Sequence, residues 1–267
     1  MHGQNNSSFG LNAPMTQGIA QSGPGELHET LSDQSTWTEI ISERKQYSST
    51  YKTPEGQTVT SYSTRPLNYY DATGHLVPID PSLKPNGDGW NASNQPNPTY
   101  LYPDGSAAVS INKCTRFTFG KNCFINDQPI TTKAVSKKNE IIYPDVVPGI
   151  DKQFLFYENA IKYNYILHGA VNSNEQFFRI KEELAFPEGC KLIRNTERGS
   201  EENGGWSGDL LLVNDKGEIV SKILAPLCYD ADKNFTFASY IIKESEGKHF
   251  LEMQLPISWI TRPFPAS

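Results

Sequence analysis

Several features that would announce a chemistry are missing from this chain. No run of about 18 apolar residues occurs anywhere in its 267 positions, which excludes a membrane-spanning helix. Gly-x-Ser-x-Gly, His-Glu-x-x-His, a Walker loop and Gly-x-Gly-x-x-Gly are all absent, so no hydrolase elbow, zinc helix or nucleotide cradle is signalled and no cofactor is expected. The five histidines are scattered: His2 and His28 lie in a polar stretch, His75 follows a glycine, and His168 and His249 sit at the ends of apolar runs. None is spaced for a nucleophile or a second base. Basic residues (24) are fewer than acidic ones (30) and the signs are mixed. Without a dense basic surface for phosphates, nucleic acid is not an expected partner.

Cysteine is scarce too. Cys114, Cys123, Cys190 and Cys228 form no Cys-x-x-Cys, which argues against a zinc site or a dithiol redox motif. A two-residue turn at Gly120-Lys121 would place Cys114 and Cys123 four strand positions apart. At about 3.4 Å per residue that exceeds the roughly 7 Å Cα limit of a disulfide. Free thiols or a Cys190 to Cys228 bridge are therefore expected before a Cys114 to Cys123 bridge.

What the chain does have is aromatics and turns. Thirteen Tyr, thirteen Phe and four Trp offset a hydrophobic content of only 37%, enough large side chains to fill a thin core between sheets. Turn signals recur at short intervals, among them Pro54-Glu55-Gly56, Thr73-Gly74, Asn86-Gly87, Pro103-Asp104-Gly105, Asn214-Asp215-Lys216-Gly217 and Ser245-Glu246-Gly247. Between them the apolar residues alternate: Ile161, Tyr163, Tyr165 and Leu167 share one face, opposite an apolar arm from Phe154 across Glu158-Asn159. Asp209 to Val213 and Glu218 to Leu224 predict a second hairpin, Phe235 to Ile242 and His249 to Leu255 a third. The fold class is all-β: an antiparallel β-sandwich, or two packed β-subdomains, built from successive hairpins.

Residues 1–36 are rich in Gln, Ser, Asn and Gly and bury too little to offset ordering, so a disordered N-terminal arm is expected. The β-pattern divides loosely into 37–140 and 141–267, with one continuous domain the alternative. Pro81 to Pro98 is the expected long loop, because proline removes backbone donors.

Candidate sites are few. Tyr69, Tyr70, Trp90 and Tyr100 surround the Pro and Asn rich run and could stack on sugar rings; core or edge packing is the competing role. Trp90, between Gly89 and Asn91, is the best candidate for an exposed contact. Asp145 and Asp151 in Tyr143-Pro-Asp-Val-Val-Pro-Gly-Ile-Asp151 shape a loop that leads into a strong strand; the alternative is the two carboxylates that a glycosidase requires, although a loop spacing does not set their distance. Asp230-Ala-Asp-Lys-Asn234 starts like a calcium loop but has Phe235 at the glycine position and Ile241 at the position of the closing Glu, so a plain turn is expected and no metal.

Order, rather than any one motif, carries a resemblance. Residues 47–80 hold two alternating hairpins with Pro66-Leu-Asn-Tyr69 and Gly74-His-Leu-Val-Pro-Ile-Asp80; Tyr102-Pro-Asp-Gly105, Pro148-Gly149-Ile150-Asp151, Ile223-Leu-Ala-Pro226 and Ser258-Trp259-Ile260 follow. From about Trp37 onward the chain resembles the N-terminal β-rich region of large secreted bacterial surface proteins, of the wall-associated and YD-repeat type and of adhesin-like Bacteroidetes proteins. The resemblance implies a turn role for Pro148, Gly149 and Asp151. It also implies a secreted or surface-displayed, non-enzymatic structural or adhesion module, with a surface glycan, a protein or further modules of the same polypeptide as partner. A carbohydrate-binding module and a glycan-active hydrolase are the alternatives. Gly3-Gln4-Asn5 resembles the start of a secreted protein after signal cleavage, and the end at Pro263 to Ser267 reads as a truncation.

Overall fold

A computed structural model describes residues 10–11, 36–111, 116–131, 133–137, 139–157, 160–169, 174–230 and 232–261. The expected N-terminal arm therefore lies almost wholly outside the described residues. The chain is nearly all β, with antiparallel sheets and, among the described residues, no closed barrel. Among the described residues, helical structure is confined to short turns such as Ile41–Glu43 and Ile257–Ile260.

Two compact units are present. The first comprises the described residues 36–80 with Asn94–Pro96. Its strands Ser48–Lys52 and Thr58–Tyr62 pair from Ser48↔Tyr62 to Lys52↔Thr58, and Thr38–Glu39 adds to the free side of Ser48–Lys52. The connection is the Pro54-Glu55-Gly56 turn, where Gly56 takes φ 84°, a region that L side chains avoid. A second hairpin joins Asn68–Tyr70 to Leu76–Pro78. Its turn is closed by the Asp71 carboxylate, which accepts the backbone N–H groups of Thr73 and His75 at 2.8 and 3.0 Å. Both hairpins expected within residues 47–80 are thus formed.

The second unit holds the described remainder from Pro81 to Ser93 and from Asn97 onward, together with Gly10–Leu11. Its largest sheet runs, in spatial order, through Glu201–Glu202, Gly205–Trp206, Ser239–Ser245, Lys248–Pro256, Phe177–Ala185, Arg116–Ile125, Ala107–Ser110, Thr99–Leu101, Gly89–Ala92 and Lys84–Asn86. A four-stranded sheet, Val135–Lys137, Glu140–Val147, Ile150–Tyr157 and Ala160–Leu167, contributes inward rings to the same core. Phe119 of the large sheet meets Tyr163 and Phe154 of the smaller one, at ring centroid distances of 5.6 and 6.2 Å. A further sheet of Lys191–Arg194, Leu210–Val213 and Ile219–Ile223 carries Gly10–Leu11 in parallel on its edge.

The three hairpins expected here are present in register: Tyr157↔Ala160 closes the first, Val213↔Ile219 the second and Ser245↔Lys248 the third. Phe235–Phe237, however, leaves the third hairpin and pairs with Leu227–Tyr229. Two further expectations are corrected. Gly120-Lys121 is not a turn, because Arg116–Ile125 continues through it as one bulged strand in which Gly120 (φ 77°) and Asn122 (φ 44°) absorb the register shifts against Phe177–Ala185. Pro81 to Pro98 is not a plain loop, since Lys84–Asn86 and Gly89–Ala92 form a hairpin within it; Pro85 is tolerated because its strand is the edge of the sheet. Strands on the two sides of residue 140 pair through Thr118↔Ala185, and the compact units divide near residue 80.

Candidate functional site

The aromatic candidates are split by their own registers. Tyr69 and Tyr70 belong to the first unit, where Tyr69 is half-buried opposite Val77 and Tyr70 is exposed opposite Leu76. Trp90 and Tyr100 belong to the second and both border a cavity of 280 Å³ with Asn86, Asp88 and Pro103. Trp90 is paired with Leu101 and Tyr100 with Asn91, so alternation sends their side chains to opposite faces. Trp90 is also half-buried against the core rather than free, and the Arg116 guanidinium covers the Tyr100 ring at 4.1 Å. Neither pair presents two rings on one face.

Asp145 and Asp151 are brought together, and His168 joins them. Glu140–Val147 and Ile150–Tyr157 form a hairpin whose register slips between Tyr143 and Val147, and at that irregularity Asp145 takes φ 48°. Its backbone N–H donates to Asp151 Oδ1 at 2.8 Å, while its own Oδ1 accepts the Gly149 N–H at 3.1 Å. Leu167, the last residue of Ala160–Leu167, pairs with Ile150, which carries His168 alongside. His168 Nε2 donates to Asp151 Oδ2 at 2.8 Å, and its backbone N–H is bonded to the Gly149 carbonyl at 2.9 Å. Burial pushes the Asp151 carboxyl up, but the Asp145 N–H and His168 outweigh it and hold the group below its ordinary range. The result is an imidazole oriented by a carboxylate, with more than half of its side chain open to solvent. Such a pair can transfer a proton. Spacing did not reveal His168 as a partner because it depends on the pairing of a third strand.

A second polar constellation was not anticipated. Ile150, Lys152, Phe154 and Phe156 alternate inward on one strand, and Phe178, Ile180, Glu182 and Leu184 do so on another. Lys152 (0% exposed) and Glu182 (1%) meet there, Nζ to Oε1 at 2.9 Å. Tyr163 Oη donates to Glu182 Oε2 at 3.1 Å, Tyr165 Oη donates to Oε1, and Cys123 Sγ lies 3.2 Å from Tyr165 Oη. The Lys152 ammonium also faces the rings of Phe154, Tyr163 and Tyr165 at 5.3, 5.8 and 5.4 Å. Burial lowers the Lys152 ammonium, yet the adjoining carboxylate prevails and keeps it above the ordinary lysine value. Burial drives both phenols well up and the Cys123 thiol to about 12. A signal for this site was present: Lys152 and Glu182 occupy inward positions of otherwise apolar faces.

The remaining candidates are structural. Cys123, Cys190 and Cys228 are free thiols, so the Cys190 to Cys228 bridge is not formed; Cys190 ends the Pro187 to Gly189 turn, and Cys228 lies in a separate two-stranded sheet. Cys114 lies outside the described residues. In the calcium-like run, Asp230 accepts the Asn234 N–H at 2.9 Å and its amide at 2.8 Å, closing a turn between Leu227–Tyr229 and Phe235–Phe237. Among the described residues no three His, Cys, Asp or Glu side chains cluster as a metal site, and no helix is long and apolar enough to cross a membrane.

Comparison with known proteins adds one lead. The match is to a nuclease. Over 125 residues, 47% of this chain, the sequence is 26% identical to the tRNA3(Ser)-specific nuclease WapA of Bacillus spizizenii. The aligned stretch is 5% of that protein's length. No family profile matches the chain, and no solved structure matches it. The expectation of a non-enzymatic structural or adhesion module is corrected by this finding, because the relative is named for an enzymatic activity. Glycan binding and glycan hydrolysis receive no support from the match either.

Proposed function

We propose that this chain is a segment of a longer RNA-cleaving polypeptide, and that the His168–Asp151 pair is where the segment contributes acid–base chemistry. The match to a tRNA-specific nuclease, covering nearly half of this chain and a twentieth of the relative, is the observation that carries the reading. Cleavage of RNA by its own 2′-hydroxyl requires a group that removes one proton and a group that supplies another. His168 is exposed, is oriented through Nε2 by Asp151, and stands just past the end of Ala160–Leu167, where its backbone N–H is bonded to the Gly149 carbonyl. The acidic balance of the chain is unsuited to gripping a phosphate backbone, so the reading assigns RNA capture to other parts of the polypeptide.

The test is tRNA cleavage by the full natural product that contains this segment, compared with the same product carrying His168→Ala. Loss of about a hundredfold in rate is expected, the usual scale for a positioned acid or base. Undiminished cleavage in the variant would reduce the pair to a turn brace, and a product that leaves tRNA intact would overturn the reading as a whole.

A further inference from the structure

We propose that Lys152 and Glu182 are the precursors of an intramolecular amide that welds the four-stranded sheet to the large sheet. The two side chains project from facing strands, Ile150–Tyr157 and Phe177–Ala185, and touch at 2.9 Å in a site from which water is excluded. The surroundings are built to hold the amine in place. A Cβ added to Gly120 would lie 2.9 Å from Lys152 Nζ, so a glycine is needed there for the side chain to pass.

The condensation balances without an outside reagent. The ammonium passes one proton across the 2.9 Å contact to Glu182, giving a neutral amine and a carboxylic acid. Burial works against the charge on Lys152 but the adjoining carboxylate outweighs it, so the ion pair is the resting state and the neutral pair is a minor state reached across this contact. The nitrogen lone pair then attacks Glu182 Cδ, forming the N–C bond and placing negative charge on a carboxyl oxygen. Tyr163 and Tyr165, which already donate to Oε2 and Oε1, are placed to stabilise that charge. One C–O bond breaks, the surplus proton on nitrogen leaves with the departing hydroxyl, and one water is released. Nothing is oxidised or reduced.

Amide formation from separated acid and amine is unfavourable in water. Fixing the two groups in contact supplies an effective molarity of about 10⁵–10⁸ M.

The intact mass of the purified, folded chain, measured after denaturation, tests this directly. A mass one water below the sequence value is expected, with trypsin failing after Lys152 and peptides 139–162 and 182–191 recovered joined. Lys152→Met should restore the full mass for its sequence. If that variant does not fold, wild-type chain recovered unfolded from inclusion bodies, and so not yet linked, serves instead: sampled over time after transfer to native buffer, it should lose one water only once it has folded. A wild-type protein that keeps the full sequence mass and is cut normally after Lys152 would overturn the proposal.

Discussion

Glu182→Ala is the substitution with the largest calculable consequence. Lys152 is wholly buried and Glu182 is its ion-pair partner, so truncation strands an ammonium among the rings of Phe154, Tyr163 and Tyr165. The two phenols lose their acceptor at the same time. Breaking a buried pair from one side costs about 3–5 kcal/mol, a large part of the roughly 5–15 kcal/mol that holds a domain together. With a urea dependence near 2 kcal/mol/M, the unfolding midpoint falls by about 2 M. If the amide has formed, the variant also loses the constraint on a 30-residue separation, worth about 3.5 kcal/mol in the chain-entropy estimate. Urea unfolding followed by tryptophan fluorescence reads the midpoint, since Trp206 is buried in this unit. A compensating double variant, Lys152→Met with Glu182→Leu, removes both charges and should recover most of the ion-pair contribution. A single variant within 1 kcal/mol of wild type, or a double variant no better than the single, would refute the reasoning.

Three further outcomes follow from named contacts. Asp151→Asn should cost about 1 kcal/mol; because the folded carboxyl is held below its ordinary value, its contribution is present above the unfolded pKa near 3.9 and fades as pH falls through the lowered folded value, which acid titration of wild type against variant would show. The Cys123 thiol, raised to about 12 by burial, should resist alkylation at pH 8 in the folded protein and react once urea unfolds it; peptide mapping that finds early labelling would contradict its placement. Gly89→Ala would set a Cβ 2.1 Å from the Leu101 carbonyl oxygen and should lower stability by about 1–3 kcal/mol in the same urea assay, with no change expected only if the edge hairpin detaches freely.

Local turn chemistry made much of this fold legible. Asn214 to Gly217 and Ser245 to Gly247 closed hairpins where alternation placed them, and Asp71 did so in the first unit. Pairing at long range was not legible. Nothing in Arg116–Ile125 announces Phe177–Ala185 as its neighbour, and the glycine and asparagine that bulge the strand look, in sequence, like a turn. Trp90 shows the same limit: its polar neighbours suggest exposure, whereas its pairing with Leu101 turns the ring toward the core and leaves it half-buried. Lys152 and Glu182 were visible as charges on apolar faces, but their partnership required two strands from different sheets to meet. His168 likewise needed the third strand of its sheet before Asp151 came within reach.

The most direct test of the functional account is tRNA cleavage by the complete natural product containing this segment. Cleavage that drops about a hundredfold in His168→Ala is predicted. A complete product that leaves tRNA intact would contradict it.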